Sequence, residues 1–490
     1  MYKFHSYILR FDMFENNLNK TISFQNKLSI TFMILFFVSC TPWPAATAAF
    51  LKDNVQDDKA ANLLLAFGLF RLMDGNGVGE TGNLGAKQWT RLLGGAGFST
   101  SATGIVSDSS GNVFATGRTV GNLDGQIHSP GTLDLLITKY DSTGARQWTR
   151  MLGGSSGAAE TTSNAIASDG SNVYSTGGAI GSLDGLTPAG SLDFFITKYD
   201  GAGVKQWTRL SGLASAITNG FGITSDVLGN VYVTGITSGN LDGQAVTGTT
   251  DLCVVKYDSA GTKQWTRLLG VAGKSTTANG IASDNNGNVY TTGFTDGNLD
   301  GQTLTGTVDL FVVKYDSAGT KQWTKLSGAA GAVTVANGIT SDRNGNIYST
   351  GRTSGNMDGQ ALIGTQDLFV VKYDGAGTKQ WTKLLGALGQ NTNGTGIAAD
   401  SFGNVYTAGF TTGSLDGLAL TGIQDLFVAK YDSAGNKKWV RLTGEAGGTT
   451  NGNAIASDPL GNLYATGGTD RSLDGNPITG TVDLFIVKFH

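Results

Sequence analysis

Histidine is scarce in this chain of 490 residues. Only three occur, at His5, His128 and His490. Imidazole is the usual general base beside a serine or cysteine nucleophile, and a multi-histidine metal centre needs several of them. One of the three lies near the start and one is the last residue. A histidine-dependent catalytic triad and a multi-histidine metal centre are therefore excluded.

Cysteine and positive charge are also in short supply. The chain has two cysteines, Cys40 and Cys253, so a disulfide framework is not expected. Cys253 lies in an apolar segment, where we expect a buried thiol without a redox role. The formal net charge is −4 and the pI about 5.4, which leaves no surplus of lysine and arginine to bind nucleic-acid phosphates. We expect no nucleic-acid partner.

Long apolar runs are missing too, and the short run near the start has the length of an export signal. Leu28–Val38 follows Lys27 and is too short to cross a bilayer as a helix. It continues through Ser39 into Cys40, and Phe37-Val38-Ser39-Cys40 resembles the lipobox of bacterial lipoproteins. The resemblance implies a signal peptide over residues 1–39 and lipidation of Cys40. Ordinary secretion or a retained anchor is the alternative.

A lipid anchor would hold the protein on a membrane surface rather than through the membrane. We expect the bacterial cell envelope, with attachment to the outer membrane and a periplasmic or surface-exposed domain. Residues 40–86 would form the tether, whose apolar part Leu63–Phe70 is interpreted as a membrane-lying segment or as a short helix packed on the domain. Translation could start at Met1 or Met13, and the sequence leaves both open.

What the chain does have is a regular repeat. A tryptophan in a near-copy of Lys-Gln-Trp-Thr-Arg-Leu returns every 58 or 59 residues, and only 6 prolines but 74 glycines accompany it. A period of this length, filled with strand-like segments, is typical of an array or a closed ring of small sheets. The seven tryptophans are Trp89, Trp148, Trp207, Trp265, Trp323, Trp381 and Trp439.

Each repeat predicts four short strands. In the copy that begins at Lys263, Gln264–Leu269 alternates as a strand, and Asn279–Ser283 and Asn288–Gly293 flank an Asn/Gly turn, as in a β-hairpin. A longer loop leads to the apolar strand Asp309–Tyr315. We expect the small-residue strand that contains Ile281 to be innermost, because space narrows towards the axis, and the tryptophan strand to be outermost.

The ends of the repeat region predict a closed ring. Stacked repeats normally end in polar capping units, and none is visible here. The last copy stops without a tryptophan strand, whereas Lys87–Leu93 stands alone at the front. We therefore predict an all-β fold over residues 87–490: a seven-bladed β-propeller of four-stranded antiparallel blades, in which Lys87–Leu93 completes the last blade.

Two recurring phrases carry a family resemblance. The segments Ile281–Gly293 and Asp309–Gly319 resemble the bacterial β-propeller repeat called SBBP. The resemblance covers about residues 87 to 490, and the tryptophan strand departs from the family pattern, where a tyrosine is commoner. It implies a seven-bladed propeller on exported bacterial proteins and no single activity.

Several recurrent residues are compatible with a structural or a functional role. The phrase Asn-Leu-Asp-Gly places an oxygen ligand on a tight turn seven times, but the spacing lacks the density of a calcium loop. We expect Asx-type turns whose carboxylates accept backbone N–H groups, with calcium as the alternative and no other cofactor. These aspartates are Asp124, Asp184, Asp242, Asp300, Asp358, Asp416 and Asp474.

The tryptophans and the strand-end lysines also have two interpretations. We expect the tryptophans to fill the space between blades rather than to stack on sugars. Each strand-end lysine follows an apolar run and has an aspartate five residues earlier, as Asp309 precedes Lys314. Ion pairs or bonds to the backbone are expected for these lysines, rather than catalysis.

One position breaks the sevenfold symmetry. The residue after the Thr-Gly or Ala-Gly pair in the third strand of each repeat, counted from the tryptophan strand, is Arg118, Gly178, Ile236, Phe294, Arg352, Phe410 or Gly468. The loops before the innermost strands vary as well, as at Glu160, Lys274, Gln390 and Glu445. We predict a binding face that includes Arg118, Ile236, Phe294, Arg352 and Phe410; drift on an unconstrained surface is the alternative.

Composition and fold together favour a binding protein over an enzyme. The leading hypothesis is an exported, lipid-anchored and monomeric propeller that binds a protein or glycan partner and contacts the membrane only through its anchor. The first alternative is a polysaccharide-active enzyme with a carboxylate pair at the propeller mouth, since paired carboxylates suffice for glycosidic chemistry. The second is a passive structural protein of the envelope.

Overall fold

The structure, a computed structural model, describes residues 85–490. The predicted signal peptide, Cys40 and almost all of the predicted tether lie outside the described residues. The described part is made of 28 strands in seven four-stranded antiparallel sheets. No helix within it has the length and apolar character needed to cross a membrane.

The sheets are the blades of a propeller, numbered here along the chain, and each has the same strand order. The innermost strands of blades 1 to 7 are β2 (Thr100–Ser107), β6 (Glu160–Ser168), β10 (Thr218–Ser225), β14 (Thr276–Ser283), β18 (Thr334–Ser341), β22 (Thr392–Ala399) and β26 (Thr450–Ser457). The second strands are β3 (Val113–Thr119), β7 (Asn172–Ile180), β11 (Val231–Thr237), β15 (Val289–Thr295), β19 (Ile347–Thr353), β23 (Val405–Thr411) and β27 (Leu463–Thr469).

The outer half of each blade holds the most apolar strand and the tryptophan strand. The third strands are β4 (Asp134–Tyr140), β8 (Asp193–Asp200), β12 (Asp251–Tyr257), β16 (Asp309–Tyr315), β20 (Asp367–Tyr373), β24 (Asp425–Tyr431) and β28 (Asp483–Phe489). The outermost strands of blades 1 to 6 are β5 (Arg146–Leu152), β9 (Lys205–Ser211), β13 (Lys263–Leu269), β17 (Lys321–Ser327), β21 (Lys379–Leu385) and β25 (Lys437–Thr443). The predicted radial order is confirmed.

The ring closes as the sequence predicts. Strand β1 (Lys87–Leu93) is the outermost strand of blade 7, where it pairs with β28 from Trp89 opposite Lys488 to Leu93 opposite Leu484. The Gly85 N–H donates to the carbonyl of His490, and the His490 N–H donates to the carbonyl of Ala86 over 3.0 Å. First and last described residues thus meet in a single sheet.

The core consists of seven apolar clusters, each built from neighbouring blades. In one of them Leu252 and Val254 of blade 3 pack with Val289, Phe311 and Val313 of blade 4. The third strands are continuous apolar runs because neighbouring blades cover both of their faces. Cys253 belongs to such a strand: its side chain is fully buried, and burial raises the pKa of its thiol to about 12. The expectation of a buried thiol is confirmed.

Candidate functional site

The connections between strands give the ring two unlike faces. Short turns join the first strand to the second and the third to the fourth, and we call their side the turn face. The long loops after the second strands and the links between blades lie on the opposite side, the loop face. This division follows from the antiparallel order of every blade.

The turn face repeats one hydrogen-bonded turn in every blade, although the exposed side chains at the turn tips differ, as at Leu228, Phe402 and Leu460. In blade 4, Asp284 accepts the N–H groups of Asn286 and Asn288 through one oxygen, and the Asn288 amide and the Tyr290 hydroxyl through the other. This is the Asx turn that the sequence predicts. A cavity of about 240 Å³ lies among the equivalent turns of blades 1, 5, 6 and 7.

A belt of serine hydroxyls links the innermost strands near this face. Five serines donate to a carbonyl of the preceding blade over 2.8–3.0 Å: Ser107 to Ser457, Ser225 to Ser168, Ser283 to Ser225, Ser341 to Ser283 and Ser457 to Ala399. Blade 6 has Ala399 where the others have serine, so its side chain cannot donate to blade 5. The belt therefore contributes to holding the blades together.

The repeated tryptophans and lysines pack blades together, as predicted. Trp265 lies 6.0 Å from the ring centre of Tyr232 in its own blade and donates to the carbonyl of Ser317 in the next blade. Lys256 lies over the same tyrosine and donates to the same carbonyl over 3.1 Å. Its preceding aspartate, Asp251, accepts backbone N–H groups instead of pairing with the lysine. Bonding to the backbone is thus the interpretation that holds for this lysine.

The seven candidate metal ligands have another role, and here the sequence-based interpretation was wrong in part. Each of these aspartates has a positive φ, between 49° and 54°, and sits in the predicted tight turn. Their carboxylates, however, accept bonds from a basic side chain of the outermost strand rather than from the backbone. The pairs are Asp124–Arg146, Asp184–Lys205, Asp242–Lys263, Asp300–Lys321, Asp358–Lys379, Asp416–Lys437 and Asp474–Lys87.

The ion pair of blade 4 changes the pKa of its aspartate. Burial alone would raise the pKa of Asp300, but the hydrogen bond from Lys321 and the lysine charge outweigh burial, so the pKa lies below its ordinary value. Within residues 85–490, no three histidine, cysteine, aspartate or glutamate side chains gather as a possible metal site.

The predicted binding residues occupy one equivalent position at the loop face. Arg118, Ile236, Phe294, Arg352 and Phe410 are each the penultimate residue of a second strand. With Gly178 and Gly468 they form a ring of seven positions, which we call the loop-face row. Going round from blade 1, the row reads Arg, Gly, Ile, Phe, Arg, Phe, Gly. Four of the five row residues that have side chains are therefore contiguous, in blades 3 to 6, and Arg118 stands alone in blade 1. Their role in binding remains a prediction.

Each row position lies against the innermost strand of the following blade. A Cβ added to Gly178 would lie 3.0 Å from the Oδ1 atom of Asn219, and one added to Gly468 would lie 3.0 Å from the Oγ atom of Ser101. Asn393 in β22 is the residue equivalent to Asn219. The Arg352 side chain therefore starts beside Asn393.

Arg352 and Asn393 both have unused hydrogen-bonding capacity. Arg352 is half-buried, and its guanidinium makes no ion pair or hydrogen bond within the described part of the chain. Asn393 is only 7% exposed, and its Oδ1 atom is buried without a hydrogen-bond partner there. Sequence reasoning singled out Arg352 but not Asn393, whose burial is seen only in the structure.

A second break in symmetry lies deeper, on the innermost strands. In six blades an asparagine or threonine donates to a carbonyl of the next blade, as Asn279 does to Ala336 and Asn453 to Ala102. Blade 3 has Phe221 at this position, and its ring cannot donate. This signal is present in the sequence, since Phe221 is the one aromatic residue at this position when the seven copies are aligned.

With this geometry in place, the chain can be compared with known proteins. Six stretches match the family model for the SBBP β-propeller repeat: residues 88–124, 206–242, 264–300, 322–356, 380–416 and 438–473. The chain is an SBBP-repeat β-propeller. Each match begins in the outermost strand of one blade and ends at, or just before, the ion-paired aspartate in the long loop of the next blade. The SBBP repeat therefore starts one strand earlier than the structural blade.

Curated relatives of this SBBP-repeat protein are distant and longer. An uncharacterized WD repeat-containing protein of Acanthamoeba polyphaga mimivirus is 26% identical over 334 residues, which covers 49% of this chain and 24% of that protein. The regulatory protein FlaEY of Caulobacter vibrioides is 28% identical over 219 residues, which covers 38% of this chain and 22% of that protein. The alignments thus span about a quarter of each relative's length.

The fold also resembles solved propellers at very low identity. The β-propeller domain of the Trilobed protease from Pyrococcus furiosus is 9% identical, with a TM-score of 0.40, and the match covers 82% of this chain and 94% of that one.

Proposed function

We propose that this protein is an exported, lipid-anchored binding scaffold that presents the loop face of its propeller to a protein or glycan at the bacterial cell envelope. The observation that carries the proposal is the composition of the loop-face row. Two phenylalanines, an isoleucine and an arginine occupy it in four consecutive blades, whereas the other three blades hold one arginine between two glycines. Binding residues are commonly carried at the ends of a rigid scaffold.

The aspartates favour binding over hydrolysis. A glycosidase of the common type needs two carboxyl groups free to act on substrate. In residues 85–490 every aspartate carboxylate accepts a hydrogen bond from a turn, a loop or the basic side chain beside it. Asp296 and Asp470, which lie outside the repeated contexts, accept the N–H groups of Ser275 and Thr449.

The binding proposal can be tested with the purified full chain on a glycan array and against solubilised envelope proteins. Saturable binding to at least one of them is expected. Replacing Phe294 and Phe410 with serine should abolish it, while replacing the turn-face residues Ser110 and Asn286 with alanine should not. Binding that survives the loop-face changes, or no binding to either panel, would contradict the proposal.

The anchor is tested separately by Cys40→Ala. We expect this variant to lose metabolically incorporated palmitate and to leave the membrane fraction. Cys253→Ala is the matched control, because Cys253 is the other cysteine of the chain and is fully buried. Equal palmitate in Cys40→Ala and the unchanged protein would refute the lipid anchor without affecting the binding proposal.

A further inference from the structure

We propose that the turn face of the propeller lies on a lipid bilayer, with the apolar side chains of its turn tips among the lipid headgroups. This inference goes beyond the proposed function and departs from the expectation that the anchor alone contacts the membrane. Three observations support it: exposed apolar residues at the turns, their spread over one face, and the place where the chain enters the propeller.

Four apolar side chains lie at the tips of the turns that join first strands to second strands. Their exposed fractions are 84% for Val227, 78% for Leu228, 68% for Phe402 and 66% for Leu460. Turns usually hold small or polar residues, and blades 1, 2, 4 and 5 have only polar residues or glycine at these positions. Exposed apolar side chains that share one face indicate an interaction surface.

These tips can enter a headgroup layer without losing backbone hydrogen bonds. In blade 6 the Phe402 N–H donates to the Asp400 carboxylate over 2.9 Å, and the Gly403 N–H donates to the Asp400 carbonyl over 3.2 Å. The turns of blades 3 and 7 have the same two bonds, at Leu228 and Leu460. A lipid layer disfavours backbone groups that lack a partner, so turns that bond their own backbone suit it.

The four tips are spread over a broad surface. Val227 and Leu228 belong to blade 3, Phe402 to blade 6 and Leu460 to blade 7. Blades 4 and 5 separate blade 3 from blade 6, and blades 1 and 2 separate it from blade 7. A partner that contacts all three blades at once must be wide. A bilayer meets this requirement, whereas a single peptide segment does not.

The chain enters the propeller on this same face. The Gly85 N–H donates to the carbonyl of His490, and the His490 Nδ1 atom is hydrogen-bonded to Asn462 Oδ1 over 3.1 Å. Asn462 belongs to the blade 7 turn that carries Leu460. The part of the chain that includes Cys40 is therefore joined to the propeller beside an apolar tip. An anchor joined at this point favours contact of the turn face with the membrane and leaves the loop face open to partners.

The charge of the turn face indicates which lipids it accepts. Each turn between a first and a second strand carries one aspartate, and Arg343 is the one basic residue in these seven turns. Headgroups with a net negative charge are repelled by such a surface, so we expect a preference for zwitterionic lipid. The aspartates are Asp108, Asp169, Asp226, Asp284, Asp342, Asp400 and Asp458.

The experiment is flotation of the full chain with phosphatidylcholine vesicles, using Cys40→Ala so that no acyl chain contributes. We expect the protein to float with the vesicles, and less of it to float when phosphatidylglycerol is added to them. Interfacial binding scales with the apolar area buried, so the pair Phe402→Ser and Leu460→Ser should lower the partition coefficient by about tenfold or more.

The matched control removes two apolar side chains from the loop face. Ile363 lies in the long loop of blade 5 and Leu388 in the link to blade 6, and they are 50% and 85% exposed. The pair Ile363→Ser and Leu388→Ser should lower the partition coefficient by less than about twofold, because these residues face away from the bilayer. All four positions are exposed, so neither pair should change the melting temperature appreciably.

A fluorescent label shows directly which face contacts lipid. In the Cys40→Ala chain the remaining cysteine, Cys253, is fully buried, so an introduced thiol can be labelled selectively. An environment-sensitive fluorophore attached to Leu460→Cys should gain emission when vesicles are added, and the same fluorophore attached to Leu388→Cys should not.

Five results would overturn the inference. They are no flotation of the Cys40→Ala chain, equal losses in the two serine pairs, tighter flotation with phosphatidylglycerol, a gain of emission at Leu388→Cys alone, and emission at Leu460→Cys that is already high without vesicles. The last result would mean that the protein itself covers the turn tips. None of these results decides the palmitate test or the glycan and protein panels, so failure of this inference is distinguishable from failure of the proposed function.

Discussion

Strand β1 is the strand that closes the ring, so its removal is the most direct test of the architecture. Deleting Lys87–Leu93 leaves β28 as the outermost strand of blade 7 and exposes its edge. Every other blade has its outermost strand joined covalently to the third strand by a short turn. Blade 7 alone depends on non-covalent contacts for that strand, so we expect it to be the weakest point of the ring.

The cost of the deletion follows from the contacts that β1 makes. Leu93 is 5% exposed, and burying such a side chain contributes about 2 kcal/mol. Thr90 donates to Asp474 over 2.5 Å, Arg91 donates to the Gly144 carbonyl of blade 1 over 2.8 Å, and each bond contributes about 1 kcal/mol. At least about 4 kcal/mol is lost before the backbone ladder is counted, a large part of the roughly 5–15 kcal/mol that stabilises a typical domain.

The assay is thermal denaturation followed by near-UV circular dichroism, with amide exchange of Leu484–Val487 as a local readout. We expect the melting temperature to fall by roughly 5–10 °C and these amides to lose protection. Deleting Asp53–Leu72 is the control and should change neither quantity appreciably. Equal effects of the two deletions would refute the closure argument.

Three further predictions concern single positions. Ala399→Ser should add the hydroxyl missing from the serine belt, as a donor to the Ser341 carbonyl, and raise the free energy of unfolding in urea by about 1 kcal/mol. Because the folded pKa of Asp300 is lowered, its stabilising effect should be present above the ordinary pKa of a carboxyl group and lost as the pH falls through the folded pKa; Asp300→Asn should flatten this acid dependence of the melting temperature. Gly319→Ala and Gly301→Ala both force alanine to a positive φ, 79° and 75°, but only the former meets a tryptophan, at 2.8 Å; a larger loss of stability for Gly319→Ala is expected, and equal losses would contradict the packing role of the tryptophans.

The architecture could be predicted from the sequence because it is repeated seven times. A tryptophan that returns every 58 or 59 residues sets the number of blades, and the unmatched segment Lys87–Leu93 indicates where the ring closes. Residue size was sufficient to predict the radial order, because space narrows towards the axis and the strand that contains Ile281 is built of small residues. These features follow from the number of repeats and from the residue pattern within each repeat, and both can be seen in a single sequence.

Contacts between strands far apart in the sequence were harder to predict. Asp300 pairs with Lys321 because the loop after the second strand folds over the outermost strand of the same blade, and no local pattern shows this. The local pattern suggested an Asx turn instead. The burial of Asn393 and the missing partner of its Oδ1 atom also could not be inferred, because they depend on the folded ring and not on a local pattern. Interactions within a turn were therefore predicted better than interactions across the ring.

Gly85 has the same local structure as the glycines that end the turns before the other outermost strands. It has a φ of +76°, and an added Cβ would lie 2.9 Å from Trp439, just as Gly319 in an intact turn approaches Trp265. The Gly85 N–H donates to the His490 carbonyl as the Gly319 N–H donates to the Asp316 carbonyl, so Gly85 and His490 occupy the two ends of what is a four-residue turn in the other blades. A circularly permuted chain that joined His490 to Gly85 through such a turn and began at another of these turns would preserve all seven sheets. The chain ends of the ring could therefore be moved from blade to blade without redesigning any of them.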